Sequence, residues 1–289
     1  MSGRVDVDVR GGALATFRLG EGDGQPVLAI HGITSSSHSW CAVARALGGE
    51  ATLIAPDLRG RGRSNELPEP YGIGAHAADM AAVLEHFGIE RALVVGHSLG
   101  AYIAAQLAVE RPDLVRAVLL VDGGLRVPGS EGANPQEFLE AFLGPALARL
   151  QMTFPSGEAY QQWWLSHPAI GGADVDPDDL AAYANHDLVG EPPELRSAVA
   201  AQAVRADGAD LFTFGDAARA LELPATLLSA PRGLLDDPHP MQPLELCREW
   251  AAQAPELRTA IQVDDVNHYT IALGRRGAAA VADAIVAAL

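Results

Sequence analysis

Two cysteines in 289 residues, Cys41 and Cys247, are too few and too far apart for a disulfide framework or a structural zinc site. Basic residues are scarce as well: 20 against 37 acidic ones, a formal net charge of −17. Nucleic acids and anionic membrane surfaces attract basic patches, so both are excluded as expected partners. No apolar run approaches the length of a membrane span, and Met1 to Asp6 carry no apolar leader, so a cytoplasmic enzyme is expected. Clustered His/Cys ligands and Walker-type glycines are missing too, which leaves no signature for a metal or a nucleotide, and neither metal nor cofactor is expected. Hydrophobic residues make up 48% and charged ones 20%, the balance of a globular chain with a sizeable core. The many alanines follow no repeat period.

Against that background one stretch stands out. Ala92-Leu93-Val94-Val95 reads as a buried strand, and Ala101 to Leu107 begins a helix of small and apolar residues. Between them lies Gly96-His97-Ser98-Leu99-Gly100, a G-x-S-x-G. A serine on so sharp a strand-to-helix turn has strained backbone angles, and side chains two places away on either side would collide with the neighbouring strand or helix. The helix that follows aims its first N–H groups at any negative charge formed beside Ser98. Ser98 is therefore the candidate nucleophile.

The rest of the chain repeats the same rhythm. Val5 to Val9 alternates with period two, and Gly11-Gly12 turns it into Ala13 to Arg18, a hairpin. Pro26 to Ile30, Thr52 to Ala55 and Val115 to Val121 are continuous apolar runs suited to strands buried on both faces. Helices are expected over Trp40–Leu47, with a serine cluster to cap it, and over Ala75–Phe87, ended by Gly88. Strands return at Ala225–Ala230 and Thr259–Val263, and helices at Pro243–Ala254 and Ala278–Leu289. Strands alternating with helices predict an α/β protein with a mostly parallel central sheet covered on both faces.

From Leu125 to Leu221 the rhythm breaks into helical and loop-like sequence with many prolines, among them Pro135, and no buried strand run. A region this long reads as an inserted helical lid, so that residues 1–124 and 222–289 form the core and 125–221 the cap. Its aromatics Phe138, Phe142, Phe154, Tyr160, Trp163, Trp164 and Tyr183 either pack within the lid or line an apolar pocket. Trp163 and Trp164, with His31 and Tyr269, are the expected substrate-binding residues.

A serine hydroxyl needs a base within hydrogen-bond reach. Of nine histidines, His268 sits just past the last strand, at the sheet edge where Ser98 must emerge. His97 adjoins Ser98 but is expected to point away. The others lie on helices or in the lid.

Taken together, His31-Gly32 after the third strand, Asp57-Leu58-Arg59-Gly60-Arg61-Gly62-Arg63-Ser64 after the fourth, the Ser98 turn and the late histidine resemble the α/β-hydrolase fold family over nearly the full length. The resemblance implies that the N–H groups of Ile33 and Leu99 receive the oxyanion and that His31 braces their loop. It also implies an acid to orient His268, by custom shortly after the strand that follows the insertion. There the sequence departs: Asp236 and Asp237 arrive two or three residues late. Some members instead resemble this chain in carrying the acid at the end of the strand after the nucleophile helix, where Asp122 falls. Asp122 is the first choice and Asp236 the second, with Asp237, Asp264 and Asp265 behind them. The Asp57–Ser64 segment is expected to be structural.

The activity implied is hydrolysis of a small apolar carboxylic ester or lactone through an acyl-enzyme at Ser98, by a monomer or homodimer. Carbon–carbon bond hydrolysis of a dioxo acid, thioester hydrolysis, and a non-hydrolytic isomerase, cyclase or small-molecule receptor on the same fold are the alternatives. Cations for a dioxo acid's carboxylates are few: Arg149, Arg196, Arg205 and Arg219 in the lid, with Arg126 at its start and Arg232 beyond it as further candidates.

Overall fold

The apolar runs become strands whose neighbouring residues feed two separate cores. In β3 (Gln25–Ile30), Leu28 and Ile30 face one core while Val27 and Ala29 face the other. With both faces buried, no polar alternation is needed, which is why these runs read as continuously hydrophobic. The computed structural model describes residues 3–129, 143–211 and 216–289.

Eight strands form one sheet: β1 (Arg4–Val9), β2 (Gly12–Leu19), β3, β4 (Ala51–Pro56), β5 (Ala92–His97), β6 (Val115–Val121), β9 (Ala225–Ser229) and β10 (Arg258–Gln262), in the order β1-β2-β4-β3-β5-β6-β9-β10. β2 pairs antiparallel with β1 and β4; the other pairings are parallel. Helices α1 (Cys41–Ala46), α2 (Ile73–His86) and α3 (Leu99–Glu110) connect the early strands. The chain steps from β3 outward to β4, then crosses back to β5 on the other side of β3. That reversal parts the loops after β3 and β5 and opens a crevice at their carboxyl ends. His31-Gly32-Ile33 leaves one strand there and Ser98 the other.

The helix expected from Trp40 starts as a 3-10 turn, Ser37–Trp40, before α1. Ser36 holds the N-cap place, but its side chain makes no capping bond.

The stretch between β6 and β9 adds no strand to the main sheet among the described residues. It does contain a two-residue ladder, β7 (Leu188–Val189) with β8 (Arg196–Ser197), which is too short to leave an apolar run in the sequence. Its helices include α4 (Gly157–Ser166), α5 (Pro177–Asp187) and α6 (Ala201–Asp210). Ser156 caps α4 by accepting from the Ala159 N–H, and Asp176 caps α5 with Pro177 behind it at the first helical position. Phe154, Tyr160, Trp164, Tyr183 and Leu180 make a third core inside this insert. Pro135, Phe138 and Phe142 lie outside the described residues. After β9 come α7 (Leu244–Ala252), α8 (Thr270–Leu273) and α9 (Arg275–Ala288). No helix among the described residues is long and apolar enough to cross a membrane.

Candidate active site

Ser98 occupies the N-cap position of α3 with φ 55° and ψ −121°, outside the region an L-residue prefers. The glycines around it leave room for nothing else. A Cβ on Gly96 would lie 2.0 Å from the Gly100 oxygen, and one on Gly100 would lie 2.1 Å from the Ile30 oxygen. Gly123, beyond β6, is as tight: a Cβ there would sit 2.4 Å from the Ser98 oxygen. These clashes are with backbone, so the turn itself would have to move. Gly123→Ala is expected to displace Ser98 by enough to cut kcat about 100-fold. The check is turnover of an activated ester beside the melting temperature, and unchanged turnover in the folded variant would refute it.

His268 follows β10, and its Nδ1 lies 2.7 Å from Asp122 Oδ2, both residues being buried. The other Asp122 oxygen accepts from the Ala230 N–H at 3.0 Å, and Asp122 itself has a left-handed φ of 46°. Its carboxylate is thus aimed by the end of β6 and by the strand beside it. With Nδ1 engaged, Nε2 is the nitrogen left to face a serine hydroxyl, and Ser98 and His268 line one cavity.

Asp236 lies elsewhere. Its Oδ1 accepts from Arg232 Nε at 2.5 Å and from Asn267 Nδ2 at 2.9 Å, on a surface turn. Asn267 in turn accepts from the N–H groups of Tyr269 and Thr270 and donates to the Ala169 carbonyl. Asp236 therefore braces the loop that carries His268 and does not touch the imidazole's Nδ1. Asp237 accepts from Leu235 and His239, Asp265 pairs with Arg276, and none of these sits at the imidazole.

His97 does not simply point away. Its Nε2 donates to the His268 carbonyl at 2.8 Å while the Arg232 carbonyl accepts from the His268 N–H at 3.1 Å, so His268 is held by its own backbone on both sides. Nothing in the sequence marks this role, because adjacency to Ser98 says nothing of direction. Asn267 had a faint signal, an Asn placed three residues before Thr270 at the start of a helix.

Leu99 is the first residue of α3, where an N–H has no partner within the helix. Ile33 lines the same cavity, after Gly32, whose Cβ would come within 3.2 Å of the Ser98 Cβ. His31 was expected both to brace this loop and to meet the substrate. It is fully buried beneath the loop, as a brace would be, and lies outside the cavity wall, with Nδ1 donating to the Gly32 carbonyl at 2.8 Å and Nε2 accepting from the Leu58 N–H at 3.0 Å. A trans peptide sets C=O and N–H on opposite sides, so fixing the Gly32 carbonyl also fixes where the Ile33 N–H points.

Burial pushes the His31 imidazole down to about 4 and that of His97 down to about 3. Both rings are neutral in the folded protein, and protonating Nε2 of His31 would set it against the Leu58 N–H. Their folded values lie below the ordinary 6.5, so the unfolded chain binds more protons throughout the interval between. Their stabilisation is complete above about pH 6.5 and is lost as pH falls toward the folded values, at about 1.4 kcal/mol per pH unit for each ring. The melting temperature is expected to drop steeply from pH 6.5 to 4.5. A flat profile there would contradict neutral burial.

Trp163 and Trp164, also expected at the substrate, belong to the core of the insert. Their rings meet edge-on at 5.0 Å, and Trp164 lies under the Arg149 guanidinium at 5.2 Å. Neither lines the cavity. A spacing of one residue on a helix cannot point both indoles the same way: Trp164 is buried in the insert's own core, and Trp163 packs half-buried at its edge. Tyr269 does line the cavity, and Tyr183 joins it from α5. The other walls are chiefly apolar, with Leu143, Val127, Leu234, Met241 and Leu273 among them. The space beside Ser98 is narrow, about 40 Å³, and a wider recess of about 240 Å³ adjoins it through Leu234, Met241 and Tyr269. No arginine lines the cavity among the described residues.

The alpha/beta hydrolase fold is the family whose sequence model matches residues 25–168. An uncharacterized protein of Mycobacterium tuberculosis (strain ATCC 25618 / H37Rv) is 42% identical over 108 residues, covering 37% of this chain and 31% of that protein. Lipase LipV of the same strain is 35% identical over 178 residues, 61% of this chain and 62% of LipV. The chain thus spans less than two thirds of the length of these relatives. Among solved structures, E-2-(acetamidomethylene)succinate hydrolase superposes with a TM-score of 0.80 at 22% identity, over 99% of this chain and 98% of that one, a likeness of fold. Strand order, the strained serine turn and the matched family agree, and the chain belongs to the α/β-hydrolase fold family.

Proposed function

We propose that the protein is a serine hydrolase that cleaves a small, uncharged carboxylic ester or lactone. The observation that carries this reading is the 2.7 Å bond between His268 Nδ1 and Asp122, made at the wall of the cavity that Ser98 enters. Asp122 keeps the proton on Nδ1 and steadies the imidazolium. Nε2 then takes the Ser98 proton as Oγ bonds to the substrate carbonyl carbon. The carbonyl oxygen becomes an oxyanion between the N–H groups of Ile33 and Leu99, a kind of contact worth about 3 kcal/mol per donor in comparable sites. His268 returns the proton to the departing alcohol, and water repeats the sequence on the acyl-enzyme.

The narrow apolar space suits a short acyl chain, and the adjoining recess suits the alcohol portion. Residues 125–221 serve in this reading as a cap over the core. Dioxo acids fit less well. Their carboxylates need cations, and Arg149 is engaged with Asp187 and with the Thr34 carbonyl. The test is stopped-flow hydrolysis of p-nitrophenyl acetate and butyrate with a parallel panel of lactones and thioesters. A nitrophenol burst stoichiometric with enzyme, or turnover lost on labelling Ser98 with a fluorophosphonate, supports the reading. Equal, slow hydrolysis by the wild type and Ser98→Ala refutes it.

A further inference from the structure

Three buried charged networks reach from the insert to one short loop, Ile33 to Ser37. In the first, Arg61 donates from Nε to the Ile33 carbonyl at 3.0 Å and pairs through Nη1 with Asp207 of α6 at 2.5 Å. Asp207 also accepts from the Gly72 N–H and from His76 Nε2. In the second, Arg149 donates from Nη2 to the next carbonyl, Thr34, at 2.8 Å and pairs through Nη1 with Asp187 of α5 at 2.6 Å. Tyr160 and Ser197 complete that cluster, each within hydrogen-bond reach of both Arg149 and Asp187. In the third, Asp57 accepts from the Ser37 N–H at 2.8 Å and from His186 Nε2 of α5 at 2.7 Å.

Buried ion pairs seldom stabilise a fold more than apolar packing of the same volume would. Arg61 even keeps a buried Nη2 with no acceptor among the described residues. Stability alone therefore gives a poor account of why two guanidiniums converge on successive carbonyls. Orientation gives a better one. A guanidinium is a rigid fork that holds a carbonyl and a carboxylate in fixed relation, and here each carboxylate belongs to the insert. With the Ile33 and Thr34 carbonyls both held, the peptide that follows Ile33 cannot flip, and the residue bearing the oxyanion N–H is fixed at its carboxyl side. His31 fixes it at the other side, through Gly32.

We propose that Arg61 and Arg149 are positioning residues for the oxyanion loop, held in place by Asp207 and Asp187, so that docking of the insert and assembly of the oxyanion site are one event. This rests on the serine-hydrolase reading. The insert is accordingly part of the catalytic frame: moving it away would take Arg149 from the Thr34 carbonyl and leave Arg61 without the carboxylate that holds it.

The experiment compares Arg61→Lys, Asp207→Asn and Arg149→Lys with the wild type, using Arg275→Ala as a control that cuts an exposed insert–core ion pair away from this loop. Activity is normalised to the amount of Ser98 that a fluorophosphonate labels, which removes any loss from misfolded protein. A trifluoromethyl ketone then probes the oxyanion site: Ser98 Oγ adds to its carbonyl carbon, the serine proton passes to His268, and the ketone oxygen becomes the held oxyanion. The expected result is a fall in kcat per labelled site of about 10- to 100-fold with KM nearly constant. The trifluoromethyl ketone should weaken by the same factor, with Arg275→Ala unchanged. Unchanged kcat per labelled site, accompanied only by a lower melting temperature, would overturn the proposal. Should the charge variants fail to fold, Tyr160→Phe removes a single hydroxyl from the Arg149 clamp, and an unaltered kcat and ketone affinity in it would equally overturn the idea. A wild type with no labelled Ser98 and no ester turnover would instead bring down the hydrolase reading itself, and this proposal with it.

Discussion

Ser98→Ala is expected to lower kcat for an activated ester by about 10⁶-fold and to remove the nitrophenol burst, while the melting temperature stays within a few degrees of the wild type. The size follows from how the parts act as a unit: without the nucleophile, His268 and Asp122 have no proton to move, and only binding and the oxyanion donors remain to help water. The fold should survive because the strain at this turn is backbone strain, carried by φ 55° and accommodated by Gly96, Gly100 and Gly123, none of which changes. Alanine has the same stereochemistry as serine at Cβ, so it inherits that strain without adding to it. Steady-state and burst kinetics on matched, folded samples check the expectation. A fall of less than about tenfold would mean that another group carries the reaction.

Asp122→Asn is expected to cost about 10⁴-fold in kcat, against less than about threefold for Asp236→Asn. The asparagine keeps the shape of the side chain, and the Ala230 N–H can still be accepted by its oxygen. What it then turns toward His268 is an amide NH₂, which cannot accept from Nδ1–H, so the imidazole adopts the other tautomer and loses its lone pair toward Ser98. At Asp236 the change disturbs Arg232 and Asn267 on a half-exposed turn, a bond of modest worth in water. The contrast between the variants, measured on the same substrate, separates the two carboxylates. A large effect in Asp236→Asn with little in Asp122→Asn would reverse the assignment.

These expectations differ in how far they could be read from the chain. The strands were legible because burial on both faces leaves an unbroken run, as in Val115 to Val121, where the expected and observed limits coincide. The end of α2 was legible because Gly88, at φ 64°, adopts a conformation that glycine takes without penalty. The turn at Ser98 was legible because two glycines at fixed offsets answer a local steric demand. Each of these is a short-range signal, resolved within about ten residues.

The misreadings share a different cause. Trp163 and Trp164 carry the right chemistry for an apolar pocket, yet the direction of an indole is set by what packs against its helix: Trp164 is buried against Tyr160 and Tyr183, and Trp163 packs half-buried against Phe154 and Tyr160. His31 braces the loop as expected, but burial and the Leu58 N–H keep it off the cavity wall where a substrate contact was also expected. Arg61 sits in a segment expected to be structural, and its contact with the Ile33 carbonyl depends on how the loops after β3 and β4 lie together.

By itself, then, the sequence determined the parallel sheet and the strained serine turn, because periodicity and glycine placement are written locally. Only the tertiary structure decided which carboxylate meets His268. Asp122 and His268 are 146 residues apart, and Asp236 is nearer in sequence, yet the register of β6 against β9 brings the end of β6 to the imidazole and leaves Asp236 with Arg232 on the surface. Residue type tells which groups are able to do a piece of chemistry, and the packing of distant elements tells which of them are close enough to do it.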